Sequence, residues 1–386
     1  MKNQITPEKS VNTESNSKEL ILGILLTVAI LDHTRLFFHY WNTNPGNLDS
    51  TTPILFFTRF ISHFFAPTVF FITGTYLFQW SQRKSSRQVF YKMLLLAFLL
   101  IVVELLINNF LWTFDFQYRT IGLFIIGALG LSIGLLAFLQ FMPKKILLFF
   151  SLLILVGHHL LDHFIFSGQS SITILWSVLH QQQYITDGER LFVINYTIIP
   201  WFAILSSGYA VGHLYKRKWL LPTGIMLTAL FFILRGINFG DPQPWTPEET
   251  FVKTLLSFFS VTKYPASLNF ICITLGPVFI FLHFIKDVQN RVSIFFITFG
   301  SSPLFTYLLS TLMIHFAAMA GLCFTGISIS EMVTTSKSYE KGNELSNYGY
   351  PLGVVYLLWI VFVFLLYRCC KFYQSYTRRR FGKIWF

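Results

Sequence analysis

The amino-acid sequence predicts an all-α integral membrane protein: a bundle of about ten transmembrane helices with both termini in the cytosol. Three observations lead there. Of 386 residues, 54% are hydrophobic and 12% are charged, about half the ~25% charge of an ordinary soluble domain. Apolar runs of roughly 20 residues recur along the chain, the length a helix needs to cross the hydrocarbon layer. The 29 Lys and Arg residues gather in short clusters between those runs, so the formal charge of +12 does not imply a nucleic-acid partner. The same apolar content excludes disorder, and four cysteines are too sparse for a disulfide framework.

Taken in order, the spans fall near Leu20–His39, Pro53–Trp80, Val89–Phe110, Thr120–Phe141, Ile146–Phe166, Asn195–Tyr215 and Trp219–Asn238. Three more follow near Ser267–Ile285, Phe296–Phe324 and Pro351–Tyr367. The run from Ser293 to Phe324 is too long for one upright helix and predicts a break at Gly300-Ser301-Ser302-Pro303. Placing both termini inside puts about two-thirds of the basic residues on the inner segments, as the positive-inside rule requires. These include Lys2, Lys9 and Lys18, the group Arg83, Lys84, Arg87 and Lys92, and the pair Lys144 and Lys145. Lys216, Arg217, Lys218, Lys286 and Arg291 belong with them, as do Arg368, Lys371, Arg378, Arg379, Arg380 and Lys383. The chain then divides into a polar inner tail (1–19), a membrane domain (20–367) and a basic inner tail (368–386). The first apolar run lacks a charged leader and a small-residue cleavage site, so a retained span is expected. Cys369 and Cys370 abut the inner face, where packing is expected and palmitoylation is the alternative.

An ionisable group inside a span needs a partner, a cavity or a job. The first span ends Asp32-His33-Thr34-Arg35, with Asp32 and Arg35 on one helix face. Arg59 and His63, four apart, open the second span, and Pro67 deprives the His63 carbonyl of its helical partner. The fifth span holds His158-His159-Leu160-Leu161-Asp162-His163, the seventh ends at Arg235, Lys263-Tyr264 precedes the eighth and His315 lies in the ninth. In the assumed topology nearly all fall in the outer half of the membrane, and one outward-opening polar pocket explains that with a single cause. Glu104 and His283 lie apart and read as interior hydrogen-bonding groups. His159 and His163 have the spacing of two metal ligands, but without further ligands no metal site is expected, and a His158–Asp162 pair is favoured. Asp32 with Arg35 reads alternatively as a plain intrahelical ion pair, and Arg59 and Arg119 as interfacial cations that snorkel.

Several stretches, read together, resemble the heparan-alpha-glucosaminide N-acetyltransferase catalytic-domain family in its bacterial branch. They are LDHTRLFFH (31–39), TTPILFFTRFISHFFAPTVFFITGT (51–75), GHHLLD (157–162) and YTIIPWFAILSSGYAVG (196–212). LRGINFGDPQPW (234–245), VTKYPASLNFICITLGP (261–277) and SSPLFTYLLSTLMIHFAA (301–318) complete the set. The resemblance implies a multi-span acyltransferase of the bacterial inner membrane that takes acetyl groups from cytosolic acetyl-CoA to an amino sugar or other glycan on the outer face. It implies a His in the first span near the acceptor, which His33 matches. The Arg that the wider group carries eleven residues earlier is Leu22 here, with Lys18 the nearest basic residue. In the lysosomal relative the position of His33 is an Asn. Its active-site His precedes the second span, near Pro53 here, and His63 matches an acidic position.

Acetyl transfer needs a base for the acceptor proton and a donor for the oxyanion. His33 is the expected base, with Asp32 or His63 fixing its tautomer. Arg35, Arg59, Arg235, His158, Asp162, Lys263 and Tyr264 are the expected substrate-binding residues. Acetyl-CoA is the expected co-substrate; the inner basic clusters are explained first by topology, with attraction of its phosphates the weaker reading. No metal is expected, and the expected partners are the lipid bilayer and a glycan acceptor, with a homodimer compatible. Two rival readings remain open. One is a transporter or flippase of a small anionic or glycan-linked substrate, although no internal repeat is visible; the other is a non-catalytic relative.

Overall fold

A computed structural model describes residues 7–41, 43–213, 217–285, 290–339 and 344–381. Lys2, Lys216, Lys286 and Lys383 lie outside the described residues. The chain is built mostly from apolar helices, which suit a membrane because a helix satisfies its own backbone polar groups where no water can.

Helix α1 spans Pro7–Phe38. The second span is α2 (Pro53–Phe60), a tight 3-10 turn over Ile61–Phe64, then α3 (Phe65–Ser81), so the helix narrows just ahead of Pro67. The third is α4 (Ser86–Val102) joined to α5 (Asn109–Thr113) through a π-bulge at Val103–Asn108. There follow β1 (Thr120–Leu123), α6 (Ile125–Leu139) and α7 (Lys144–Gly157), which tightens into a 3-10 turn over His158–His163. Next are α8 (Ser171–Leu179), β2 (Gln183–Asp187), β3 (Arg190–Ile194), α9 (Ile198–Val211), α10 (Arg217–Gly236) and α11 (Phe251–Phe259). The chain closes with α12 (Leu268–Phe284), α13 (Arg291–Gly300), α14 (Pro303–Leu322) and α15 (Leu352–Phe381). The break between α13 and α14 falls at the Gly300–Pro303 stretch. Seven helical segments among the described residues are long and apolar enough to cross a membrane, while α6, α9, α12 and α13 are shorter apolar helices.

Of the short helices, α6, α9 and α12 are the inner ones. Nearly every residue of α9 is buried, and α12 is buried along most of its length; a helix apolar all round belongs in a core. Backbones meet closely where neither helix carries a Cβ. A Cβ at Gly74 of α3 would overlap the Leu205 carbonyl of α9, and one at Gly208 would overlap the Phe71 carbonyl in return. Gly23 of α1 and Gly300 of α13 are matched in the same reciprocal way, against the carbonyls of Phe296 and Glu19. Small residues permit this backbone approach in bundles where lipid supplies no hydrophobic drive between helices.

Strands depart from the all-α expectation. A three-stranded sheet of order β1-β3-β2 forms at the end of the bundle to which α1 points, β1 parallel to β3 and β2 antiparallel to it. Thr120 and Asn195 therefore do not begin spans: Thr120 pairs with Leu191 in the sheet, and the helices start at Ile125 and Ile198. Glu104 is tied into the same region, accepting the Gly127 N–H at 2.6 Å and the Asn108 amide at 2.9 Å. Asn109 accepts the Gly122 N–H and donates back to the Gly122 carbonyl at 3.0 Å, which seats β1 on the π-bulge.

Candidate functional site

The sheet end of the bundle gathers most of the polar residues singled out above. On the last turns of α1, Asp32 Oδ1 accepts from Arg35 Nε at 2.8 Å, an i,i+3 pair that the helix geometry brings together. The other carboxylate oxygen accepts from Ser62 Oγ at 3.1 Å, which ties α1 to the 3-10 turn of the second span. Both oxygens of Asp32 thus have donors, and Arg35 is engaged as its partner.

His33, one residue on, is turned about 100° around the helix. Its ring meets Trp112 edge-on at 4.8 Å and Tyr307 at 5.5 Å, and Trp112 Nε1 donates to the Tyr307 hydroxyl at 3.2 Å. These contacts fix the imidazole plane, while its buried Nδ1 has no hydrogen-bond partner among the described residues. His63 is packed between Phe60 and Phe270, and both its nitrogens are buried with no hydrogen-bond partner among the described residues.

A hollow of about 230 Å³ opens beside this cluster. Arg59 and His63 line one side of it, and Ser260, Thr262, Lys263 and Tyr264 another, with Gln182 and Gln243 from the loops and Phe56, Phe60 and Phe259 as apolar wall. Lys263 Nζ sits 5.0 Å from the Tyr264 ring centre and 5.8 Å from that of Tyr196, cation–π contacts that leave its charge without an anion. Arg59 and Lys263 both act through space on Asp32 and on His63, and Lys263 reaches His33 as well. Residues from the first span, the second span and the 260–264 loop therefore share one electrostatic neighbourhood.

Three expected site residues have other work. Arg235 is 1% exposed, and its guanidinium donates to the carbonyls of Phe258 (2.9 Å), Gln243 (2.6 Å), Ser257 (3.0 Å) and Ser260 (2.7 Å). It holds the wall of the hollow with four of its five N–H donors, and its burial closes it to a substrate. Asp241, which the sequence did not single out, backs it at 4.0 Å and accepts from the Thr262 N–H and hydroxyl and from Ser267 Oγ. His158 and Asp162 are likewise held internally, and not by each other. The 3-10 turn replaces the expected helix, bringing residues three apart onto one side: Asp162 pairs with His159 at 2.8 Å and with His180 at 2.7 Å. His158 Nε2 instead meets the Ala266 carbonyl at 3.1 Å, next to the Lys263-Tyr264 pair. Burial pushes the His180 imidazole below its ordinary value although Asp162 opposes the shift. Among the described residues no group of three or more His, Cys, Asp or Glu side chains is placed to hold a metal ion.

Sequence reasoning missed Ser62, Trp112, Tyr196, Tyr307, Asp241 and His180. Ser62 was the most accessible of them, lying between Arg59 and His63 in the sequence; His180 lies 18 residues from the carboxylate it meets. His315 and Arg119 prove structural. His315 bridges the carbonyls of Leu111 and Met332, and Arg119 pairs with Asp115 at 3.1 Å instead of snorkelling alone.

No family model matches the chain, and no curated protein matches it either.

Proposed function

We propose that the chain is a ten-span membrane acyltransferase of the bacterial-branch type it resembles, with both termini cytosolic and the hollow on the outer face. In this reading α6, α9 and α12 are the spans that supplement the seven long helical segments, and α13 is a half-span docked on α1. The protein moves an acetyl group from cytosolic acetyl-CoA to an amino sugar or other glycan acceptor.

The observation that carries the reading is His33: an imidazole held in orientation by Trp112 and Tyr307, with a buried nitrogen that nothing else engages. His33 is not among the residues lining the hollow, which His63 and Lys263 reach; an imidazole so held, next to Asp32 in the chain, suits general base work. His33 takes the proton from the acceptor amine or hydroxyl as that atom attacks the thioester carbonyl. The tetrahedral oxyanion collapses, the carbon–sulfur bond breaks, and the CoA thiolate leaves with the proton returned by the imidazolium. Lys263 or the Tyr307 hydroxyl is the donor available to the oxyanion.

The donor comes from the far end. Lys18, buried at the inner part of α1, donates to Gln79 at 3.3 Å and lies over the Tyr76 ring at 4.8 Å. At ~1.5 Å per residue it stands about 22 Å along the helix axis from His33. Lys18 is itself 1% exposed and engaged by Gln79 and Tyr76, so it fixes the inner end of α1 against α3, and the inner basic group Arg83, Lys84 and Arg87 is where the CoA phosphates are drawn.

The test is acetyl transfer in liposomes with full-length protein, labelled acetyl-CoA and an amino-sugar panel. Labelled sugar is expected, and its loss in His33→Ala. Counterflow of unmodified sugar with no labelled product would replace this reading with transport.

A further inference from the structure

We infer that the hollow takes an anionic acceptor: a sugar whose ring carries a phosphate or carboxylate, which Arg59 and Lys263 clamp. The inference deepens the proposed function and rests on it only for the word acceptor; the anion preference stands on charge and geometry.

Arg59 and Lys263 line the same hollow, and among the described residues neither forms an ion pair. The nearest carboxylates are already occupied. Asp32 holds Arg35 and Ser62 with its two oxygens, and Asp241 faces Arg235, Thr262 and Ser267. Asp32, Arg35, Arg59 and Lys263 together carry two positive charges in excess. Like charges lining one partly desolvated hollow repel each other, and an anion between them relieves that repulsion. His63 lines the same wall, and among the described residues neither of its ring nitrogens has a hydrogen-bond partner. The volume, about 230 Å³, is below the ~300–1,000 Å³ of drug-sized sites. It suits one sugar ring with its anionic group. Phosphate on a soluble sugar and phosphate in a lipid headgroup share this chemistry, and the experiment separates them.

Full-length protein in neutral phosphatidylcholine nanodiscs is titrated with glucosamine, glucosamine 6-phosphate and muramic acid, and binding is read by calorimetry at low salt. The anionic sugars are expected to bind at least about tenfold more tightly than glucosamine, with the preference shrinking as salt rises. Arg59→Gln and Lys263→Gln should each reduce the preference below about threefold, while Lys263→Arg retains it. Discs of phosphatidylglycerol should weaken glucosamine 6-phosphate binding if the anion arrives on a lipid, and leave it unchanged if it arrives on a free sugar. Equal affinity for charged and neutral sugars, or a preference that survives both Gln substitutions, overturns the inference. A clear anion preference without acetyl transfer refutes the proposed function and leaves this inference standing.

Discussion

Two clusters of charge lie at the same end of the bundle and are treated in opposite ways. Around Arg235 and Asp241 every charged group is answered: four carbonyls accept from the guanidinium, and backbone and hydroxyl donors converge on the carboxylate. Around Arg59 and Lys263, the rings of Tyr196 and Tyr264 lie near Lys263 and both cations line the hollow, but among the described residues neither forms an ion pair. A saturated buried cluster has no valence left for a ligand, so its work is structural. An unsaturated one costs stability in the resting protein, and a site that binds charge accepts that cost. The difference teaches which intramembrane arginine holds the fold and which waits for something, a distinction that exposure or residue type alone does not make.

The comparison is broken most forcefully by removing the saturated cation. Arg235→Met strands four buried carbonyls and a buried carboxylate, and should lower unfolding stability by about 3–5 kcal/mol. Arg59→Gln and Lys263→Gln should stay within about 0.5 kcal/mol of the parent or exceed it. Thermal unfolding in lipid discs measures all three. Equal destabilisation would show that the two clusters do the same job.

The next largest effect separates chemistry from packing. His33→Ala should cut acetyl transfer by at least ~100-fold, the lower end of general base catalysis, while His33→Phe keeps the ring contacts to Trp112 and Tyr307 and loses turnover equally. If His33→Phe retains activity, the imidazole serves only as an aromatic wedge.

A smaller effect tests the link between the histidine cluster and the hollow. His158 holds the Ala266 carbonyl, and its replacement by Leu removes one hydrogen bond from the loop carrying Lys263 and Tyr264. About 1 kcal/mol of positioning is at stake, read as a several-fold rise in KM for the acceptor with kcat little changed. A fall in kcat at constant KM would assign His158 to the chemical step instead.

How much of this was legible beforehand depended on the range over which each feature acts. Local features were readable: the Asp32–Arg35 pair follows from helix spacing, and the α13–α14 break from glycine, serines and proline in a row. The inner helices were readable as apolar runs, but the strands bounding α6 and α9 were not: β1 is four residues running straight into an apolar helix and reads as part of it, and the five residues of β3 are too short a run to stand out. Arg235 was misjudged for a physical reason. Its partners are backbone carbonyls of residues 243–260, and a carbonyl has no signature in sequence. The same holds for His158, whose acceptor is the Ala266 backbone. His33 and Tyr307 meet only because α1 and α14 pack together, a pairing that no periodicity reveals.

The smallest expected effect comes from a cluster midway between the two extremes. In the turn after α5, Asp115 is 2% exposed while its partner Arg119 remains 33% exposed. Burial alone would raise the Asp115 carboxyl, yet hydrogen bonds from the Arg119 guanidinium and from the backbone N–H groups of Arg119 and Gln117 hold it below the usual carboxylate range. The pair leads directly into β1, where the Arg119 carbonyl accepts the Leu191 N–H at 2.8 Å. A carboxyl whose folded value is depressed contributes stability that is present above its unfolded value, ~3.9, and is lost as pH falls through the folded value. Asp115→Asn should therefore lower unfolding stability by about 1 kcal/mol at neutral pH. The gap between parent and variant should close as the medium is taken below that range, because the parent's own carboxyl then protonates. A gap that persists unchanged at low pH would mean that the turn is held by its shape and not by the charge, placing Asp115 with the inert polar groups of the bundle instead of between its two clusters.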